Sequence, residues 1–297
     1  MSKYYIYPVI GVMTILAVIA VVYFKSLPES SEDVVYNKKV HIRYSFLLKN
    51  EGNQVVEGAK FSMFAPYQLD ARQKLVTYQS SQPVNLVADN NGNYSFEIDN
   101  LLIPPFGSKS LTVSLEMEVV TDFVKETTVD LMSYLDDDLY LNMDDPKIVE
   151  LAKQFSGKDD NQLANQIYLW LVNNIQVLNY VAQAKGAKYA IEQKTGDCTE
   201  MMHAFMALAR LNGIPARAVG GFVVEGDATV VHANDYHNWA EYYNGERWVI
   251  VDPQKQLFDK TGNLTYVIFR YFDQQDNQGV NTQRFIFSDK NVSVSML

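Results

Sequence analysis

The strongest constraint on the fold is a change of hydrophobic period partway along the chain. Val40, Ile42, Tyr44 and Phe46 alternate with His41, Arg43 and Ser45. Tyr94, Phe96 and Ile98 alternate with Ser95 and Glu97, and Leu111, Val113, Leu115, Met117 and Val119 alternate with Thr112, Ser114, Glu116 and Glu118. Successive side chains of a strand point to opposite faces, so each run reads as a strand with one buried face. Glu51-Gly52-Asn53 and Asn90-Asn91-Gly92-Asn93 carry turn residues between them. Short strands at this spacing predict a small antiparallel β-sandwich over residues 35–130. Beyond it the spacing becomes helical. Asp145-Pro146 places an N-cap and a first-turn proline ahead of Ile148, Leu151, Ala152 and Phe155. Asp159-Asp160 precede Leu163, Ile167, Trp170, Leu171 and Ile175, and a third stripe runs Met202, Phe205, Met206, Leu208, Ala209, Leu211 before Gly213 and Pro215 end it. Strands return at Arg217 to Val224, around Asn244-Gly245, and in a tail of Tyr266–Tyr271, Phe285–Phe287 and Val292–Val294 that is expected to extend the second sheet. Helices followed by an antiparallel sheet make residues 131–297 an α+β domain.

Tyr4 to Phe24 carries no charge and is long enough to cross a hydrocarbon core as a helix. Lys3 precedes it, and Glu29, Glu32 and Asp33 follow. The expected arrangement is an uncleaved anchor over residues 1–25 and a small, acidic tether over 26–34. The N-terminus would be inside, the membrane the inner (cytoplasmic) one, crossed once, and the rest of the chain extracytoplasmic. The rival is a cleaved signal peptide. Its apolar region is ordinarily shorter, and Ala17-Val18-Ile19-Ala20 has the wrong spacing for a cleavage site.

A net charge of −10 and a pI near 4.9 argue against a nucleic-acid partner, which would show as a basic stripe. A single cysteine excludes an intrachain disulfide framework and a four-cysteine zinc site. Asp136-Asp137-Asp138 and Asp144-Asp145 lack calcium-loop spacing. His232, Asp235 and His237 have no further ligand set, and Glu200-x-x-His203 is half of a di-iron pair without its other half. No metal and no cofactor are expected.

The one cysteine, Cys198, lies where the turn Thr195-Gly196-Asp197 meets the third helical stripe. The first turn of a helix offers unpaired N–H groups and the positive end of the dipole to an anion, and the thiolate is the nucleophilic form of a thiol. A second stretch runs from His237-Asn238-Trp239-Ala240-Glu241 through Asn244-Gly245 to Trp248-Val249-Ile250-Val251-Asp252-Pro253. Asn-Gly between aromatic and β-branched runs signals a hairpin. With a two-residue loop, Tyr243 faces Glu246, Glu241 faces Trp248 and His237 faces Asp252. That places an imidazole beside a carboxylate on one face; a one-residue bulge would break it.

These blocks, with Gly196-Asp197-Cys198-Thr199-Glu200 and Ala207-Leu208-Ala209-Arg210-Leu211-Asn212-Gly213-Ile214-Pro215-Ala216-Arg217, resemble the bacterial transglutaminase-like superfamily over roughly residues 140–255. The resemblance implies a papain-like thiol site with Cys198 as nucleophile, His237 as general base and acid, and Asp252 orienting it. Tyr189, Gln193 and Trp239 are candidates for substrate or oxyanion contacts. His203-Ala204 stands where relatives vary. The implied function is a membrane-anchored thiol acyl-transfer enzyme acting on an amide of a protein or peptide, a peptidase or amidase first and a transamidase second. The alternative is a non-catalytic interaction or assembly protein that retains the fold.

Overall fold

The computed structural model describes residues 35–68, 72–121, 125–126, 130–178, 183–272, 284–287 and 289–297. The expected anchor and tether, residues 1–34, lie outside them. Among the described residues no helix is long and apolar enough to cross a membrane.

Six strands come first: β1 Lys38–Asn50, β2 Val56–Phe64, β3 Gln73–Ser80, β4 Asn85–Ala88, β5 Tyr94–Ile103 and β6 Ser108–Val119. Then follow α1 Pro146–Ala152, α2 Asp160–Asn174, β7 Gln176–Val177, α3 Gly186–Gln193, β8 Thr195–Gly196 and α4 Cys198–Leu211. The remaining strands are β9 Ala216–Glu225, β10 Ala228–Val230, β11 Tyr236–Tyr243, β12 Trp248–Asp252, β13 Leu257–Phe258, β14 Leu264–Phe272, β15 Phe285–Phe287 and β16 Val292–Met296. The protein is mixed α+β and rich in sheet.

The alternation in β1 and β6 does what it predicts. Val40, Ile42, Tyr44, Phe46 and Leu48 face Leu111, Val113, Leu115 and Met117 in one core, joined by Phe61 and Met63 of β2 and Phe96 and Ile98 of β5. One sandwich sheet runs β3-β6-β1, with β10 and β16 both lying along the free edge of β1; the other runs β15-β2-β5-β4. The tail therefore departs from expectation. β14 joins the second sheet, but β15 and β16 pair with β2 and β1 and complete the sandwich. The physical reason is apolar: Phe285, Phe287, Val292 and Val294 pack on the sandwich core. The stretch after β9 contains β10, which pairs in parallel with β1 through His41 to Arg43.

The second sheet runs β13-β12-β11-β9-β14 and carries the helices on one face. Asp145 and Asp159 cap α1 and α2 by accepting from Lys147 N and Gln162 N, as the acidic-cap pattern predicts. α4 is buried along almost its whole length. Its last turn is held by Arg210, which donates to the carbonyls of Ala216 and Asp136. This sheet and the sandwich share a core, since Phe222, Val224, Val267 and Phe269 pack among the sandwich residues. Residues Tyr36–Leu297 form one compact unit.

β14 is an edge strand, and an edge exposes unpaired backbone groups. Here side-chain amides of the sandwich substitute for a neighbouring strand. Gln73 exchanges two bonds with the Ile268 backbone (2.9 and 2.8 Å), and Asn93 does the same with Tyr271 (3.0 and 2.8 Å). β14 bulges between Ile268 and Arg270, and its backbone presses onto Gly221, where an added Cβ would lie 2.0 Å from the Val267 carbonyl oxygen. Only glycine permits that approach.

Candidate thiol site

The site is built where the first turn of α4 meets β11. Asp197 caps α4, accepting from Thr199 N at 2.8 Å, while Glu200 reaches back to Asp197 N at 3.2 Å and to Lys185 N at 2.8 Å. This reciprocal cap fixes the entry of the helix and so the position of Cys198 at its first residue. The Cys198 side chain is half-buried and carries the only thiol. Thr199 Oγ1, 4.0 Å from the sulfur, accepts from Asn238 Nδ2 at 2.9 Å and so ties this turn to β11.

β11 and β12 form the expected hairpin with a different register. Tyr243 faces Trp248 and Ala240 faces Val251, a slip of two positions from the pairing that a two-residue loop would give. The cause is the Asn244 side chain, whose Oδ1 accepts from both Glu246 N (3.1 Å) and Arg247 N (3.0 Å) and widens the loop. Side chains alternate with period two, so a slip of two leaves every residue on its expected face. His237 and Asp252 become diagonal neighbours, and Nε2 of His237 lies 2.6 Å from Oδ2 of Asp252. Nδ1 points away from the carboxylate, and Cys198 lies near enough to contribute to the electrostatics of the imidazole.

The electrostatics of the pair follow from burial and contact. Burial pulls the imidazole down, but hydrogen bonds to Asp252 and Cys198 and their charges outweigh it and raise His237 to about 9. Asp252, also buried, is held below the usual carboxylate value by donors on both oxygens. Lys255 N reaches Oδ1 at 3.1 Å, and the Tyr266 hydroxyl shares Oδ2 with His237 at 2.7 Å.

The three residues singled out in sequence, Cys198, His237 and Asp252, are thus brought together. The three lesser candidates are placed as follows. Trp239 is fully buried and offers no surface to a substrate; its ring stacks behind His237 at 6.4 Å, meets Tyr266 edge-on at 4.9 Å and donates to Glu241 at 3.3 Å. Period two put it on the His237 face, and that face is closed there by Val219 and Ile268. Gln193 is exposed at the end of α3, and Tyr189 is half-buried under the Lys185 ammonium, 4.2 Å from its ring. Gly220 accommodates a protein group, since an added Cβ would lie 2.4 Å from the Tyr236 hydroxyl. His203 is buried against Tyr140 (5.2 Å, stacked) and is held neutral by burial, at about 3. Asp235 and His232 close a short turn on each other. Among the described residues no group of three His, Cys, Asp or Glu side chains could hold a metal ion.

Residues 149–253 match the family model of the transglutaminase-like superfamily, a span that contains the thiol, the imidazole and the carboxylate. That stretch of the chain is similar to the transglutaminase-like superfamily. A protein-glutamine gamma-glutamyltransferase of Pseudomonas aeruginosa is 33% identical over 75 residues, which is 23% of this chain and 11% of that relative. Among solved structures, a presumed cysteine protease from Cytophaga hutchinsonii superposes with a TM-score of 0.58 at 16% identity, over 87% of this chain and 92% of that one. At that identity the likeness is one of fold. The periplasmic domain of TgpA from Pseudomonas aeruginosa gives a TM-score of 0.39 at 16% identity, over 72% of this chain and 90% of its own. Tyr266, which lies beyond the matched span, and the Asn238–Thr199 link were not singled out in sequence. Nothing local in β14 marks Tyr266 except its place on an inward face.

Proposed function

We propose that this transglutaminase-like chain is a membrane-anchored thiol acyl-transfer enzyme acting on amides of extracytoplasmic proteins or peptides. The observation that carries the reading is the 2.6 Å contact of His237 Nε2 with Asp252, which leaves Nδ1 for the sulfur of Cys198. The Cys198 thiolate attacks the amide carbonyl carbon, and the tetrahedral oxyanion takes the Cys198 N–H at the helix N-terminus. Nδ1–H of His237 then protonates the departing amine as the C–N bond breaks, leaving a thioester on Cys198. Water, deprotonated by the now neutral imidazole, resolves it in the hydrolytic reading. A second reading, in which an amine resolves the thioester, is favoured by the name of the 33% identical Pseudomonas relative.

Mass spectrometry of Cys198 after exposure to casein or short peptides tests the shared step. A thioester adduct at that residue is expected, and a chain that turns over amide without ever carrying one would sink the reading. Release of new peptide termini and incorporation of a dansyl amine then separate the two fates.

The pH dependence has a definite sign. His237 must hold its second proton to serve the leaving amine, so the rate of acylation is expected to fall as pH rises through about 9. In Asp252→Asn, which removes the charge favouring the imidazolium, the limb is expected to move to lower pH. A wild-type profile flat to pH 10, well beyond that titration, would contradict the assignment. The single-pass anchor is proposed on the uncharged Tyr4–Phe24 segment alone. Protease added to intact spheroplasts should digest residues 35–297, and full protection would reverse the orientation.

A further inference from the structure

We propose, resting on the reading above, that Tyr266 is a positioning residue of the site: its hydroxyl holds the Asp252 carboxylate that in turn holds His237. The hydroxyl donates to Oδ2 of Asp252 at 2.7 Å, the same oxygen that takes His237 Nε2 at 2.6 Å. Lys255 N occupies Oδ1, so three donors leave the carboxylate one orientation. Tyr266 stands on β14, three strands along from β12 in the sheet, with β11 and β9 between them. Between them, β9 carries Gly221 opposite His237, and Tyr266 pairs with Val223 two residues further along the same strand. The phenol ring is itself fixed, edge-on to Trp239 at 4.9 Å, and Trp239 stacks behind the His237 ring. Tyrosine, tryptophan and histidine thus form one rigid backing for the acidic partner. The phenol stays protonated because burial and the neighbouring carboxylate both push it well above its usual value, so it acts as a permanent donor.

A donor on the shared oxygen does two things. It removes rotational freedom from the carboxylate, and it draws off some of the negative charge that favours the imidazolium. Loss of the hydroxyl therefore lowers the rate while raising the pH at which His237 loses its proton. A purely structural tyrosine would not move the second quantity.

The test is the rate of Cys198 alkylation by iodoacetamide against pH, which senses the neighbouring imidazolium without requiring a substrate. In Tyr266→Phe, which keeps the ring, the alkaline inflection is expected to rise by about half a pH unit or more. On a substrate of the wild type, kcat is expected to fall about ten-fold with KM within about two-fold. Tyr266→3-fluorotyrosine, a stronger donor, is expected to shift the inflection the other way, and it covers the case in which the phenylalanine variant fails to fold. In an Asp252→Asn background the second substitution at Tyr266 is expected to add nothing. An inflection unmoved by both variants, or an equal loss in both backgrounds, overturns the proposal. A wild type that turns over no amide, yet shows these shifts, would instead remove the acyl-transfer reading and leave the link between Tyr266 and the pair standing.

Discussion

Cys198→Ala is expected to lower amide turnover by about four orders of magnitude or more while leaving the fold intact. In the proposed reaction the Cys198 sulfur forms the covalent bond, and neither Thr199 nor Asn238 can replace it at that position. The structural cost is small. The side chain is half-buried, its nearest recorded side-chain hydroxyl is 4.0 Å away, and alanine is the best helix former for the first turn it occupies. His237→Ala is expected to be as damaging, because both the sulfur's partner and the acid for the leaving amine disappear. Asp252→Asn is expected to retain a small residual rate, since it alters the imidazole's orientation and charge rather than removing it. The comparison is made by single-turnover kinetics with circular dichroism as a fold control. A folded Cys198→Ala protein with wild-type turnover would end the enzyme reading in favour of an interaction protein that retains the fold.

Glu241→Gln is expected to destabilise the protein by about 3–5 kcal/mol, lowering Tm by about 10 °C. Glu241 is fully buried and ion-paired on both oxygens, with Arg72 Nη1 at 2.5 Å and Arg217 Nη2 at 2.8 Å. Arg217 is packed between the rings of Trp248 (4.0 Å) and Tyr271 (4.4 Å). Arg72 also contacts Glu126 at 3.4 Å. This cluster joins the sandwich, through Arg72, to β9 and β11. Without the carboxylate two largely buried guanidinium groups would be left beside each other. Burial alone would push Glu241 up, but the two arginines outweigh it and hold it at about 2, below an ordinary value of 4.5. Because the folded value is the lower one, the contribution is present above pH 4.5 and is lost as pH falls toward 2, about 3 kcal/mol over that window. Urea titrations of wild type and variant from pH 7 to pH 2 measure this directly. A gap under about 1 kcal/mol at pH 7, or one that widens in acid, would show that the cluster does not hold the two halves together.

The legible part of the site was local. Asp197 before the helix, Asn-Gly in the hairpin and period-two alternation put a thiol at a helix start and an imidazole and a carboxylate on one strand face. The hairpin register slipped by two and the inference survived, because two is the period of a strand. Trp239 shows the limit of the same logic. Parity told which face it occupies but not that Val219 and Ile268 close that face, so a side chain expected to meet substrate instead backs the histidine. The tail shows the same limit on a larger scale. Phe285–Phe287 and Val292–Val294 read as strands, but either sheet offers an edge, and the choice of β1 and β2 rests on which core is open to them.

By itself the sequence determined the kinds of element, their order, their buried faces and the identity of the three candidate site residues, read mostly from neighbours a few residues apart. Only the tertiary structure decided that Tyr266 reaches Asp252 from three strands away, that Gln73 and Asn93 cover the edge of β14, and that Arg72 crosses to Glu241. Those pairings span from 14 to nearly 200 residues of chain. No periodicity encodes them, because they depend on how two separately formed layers come to rest against each other.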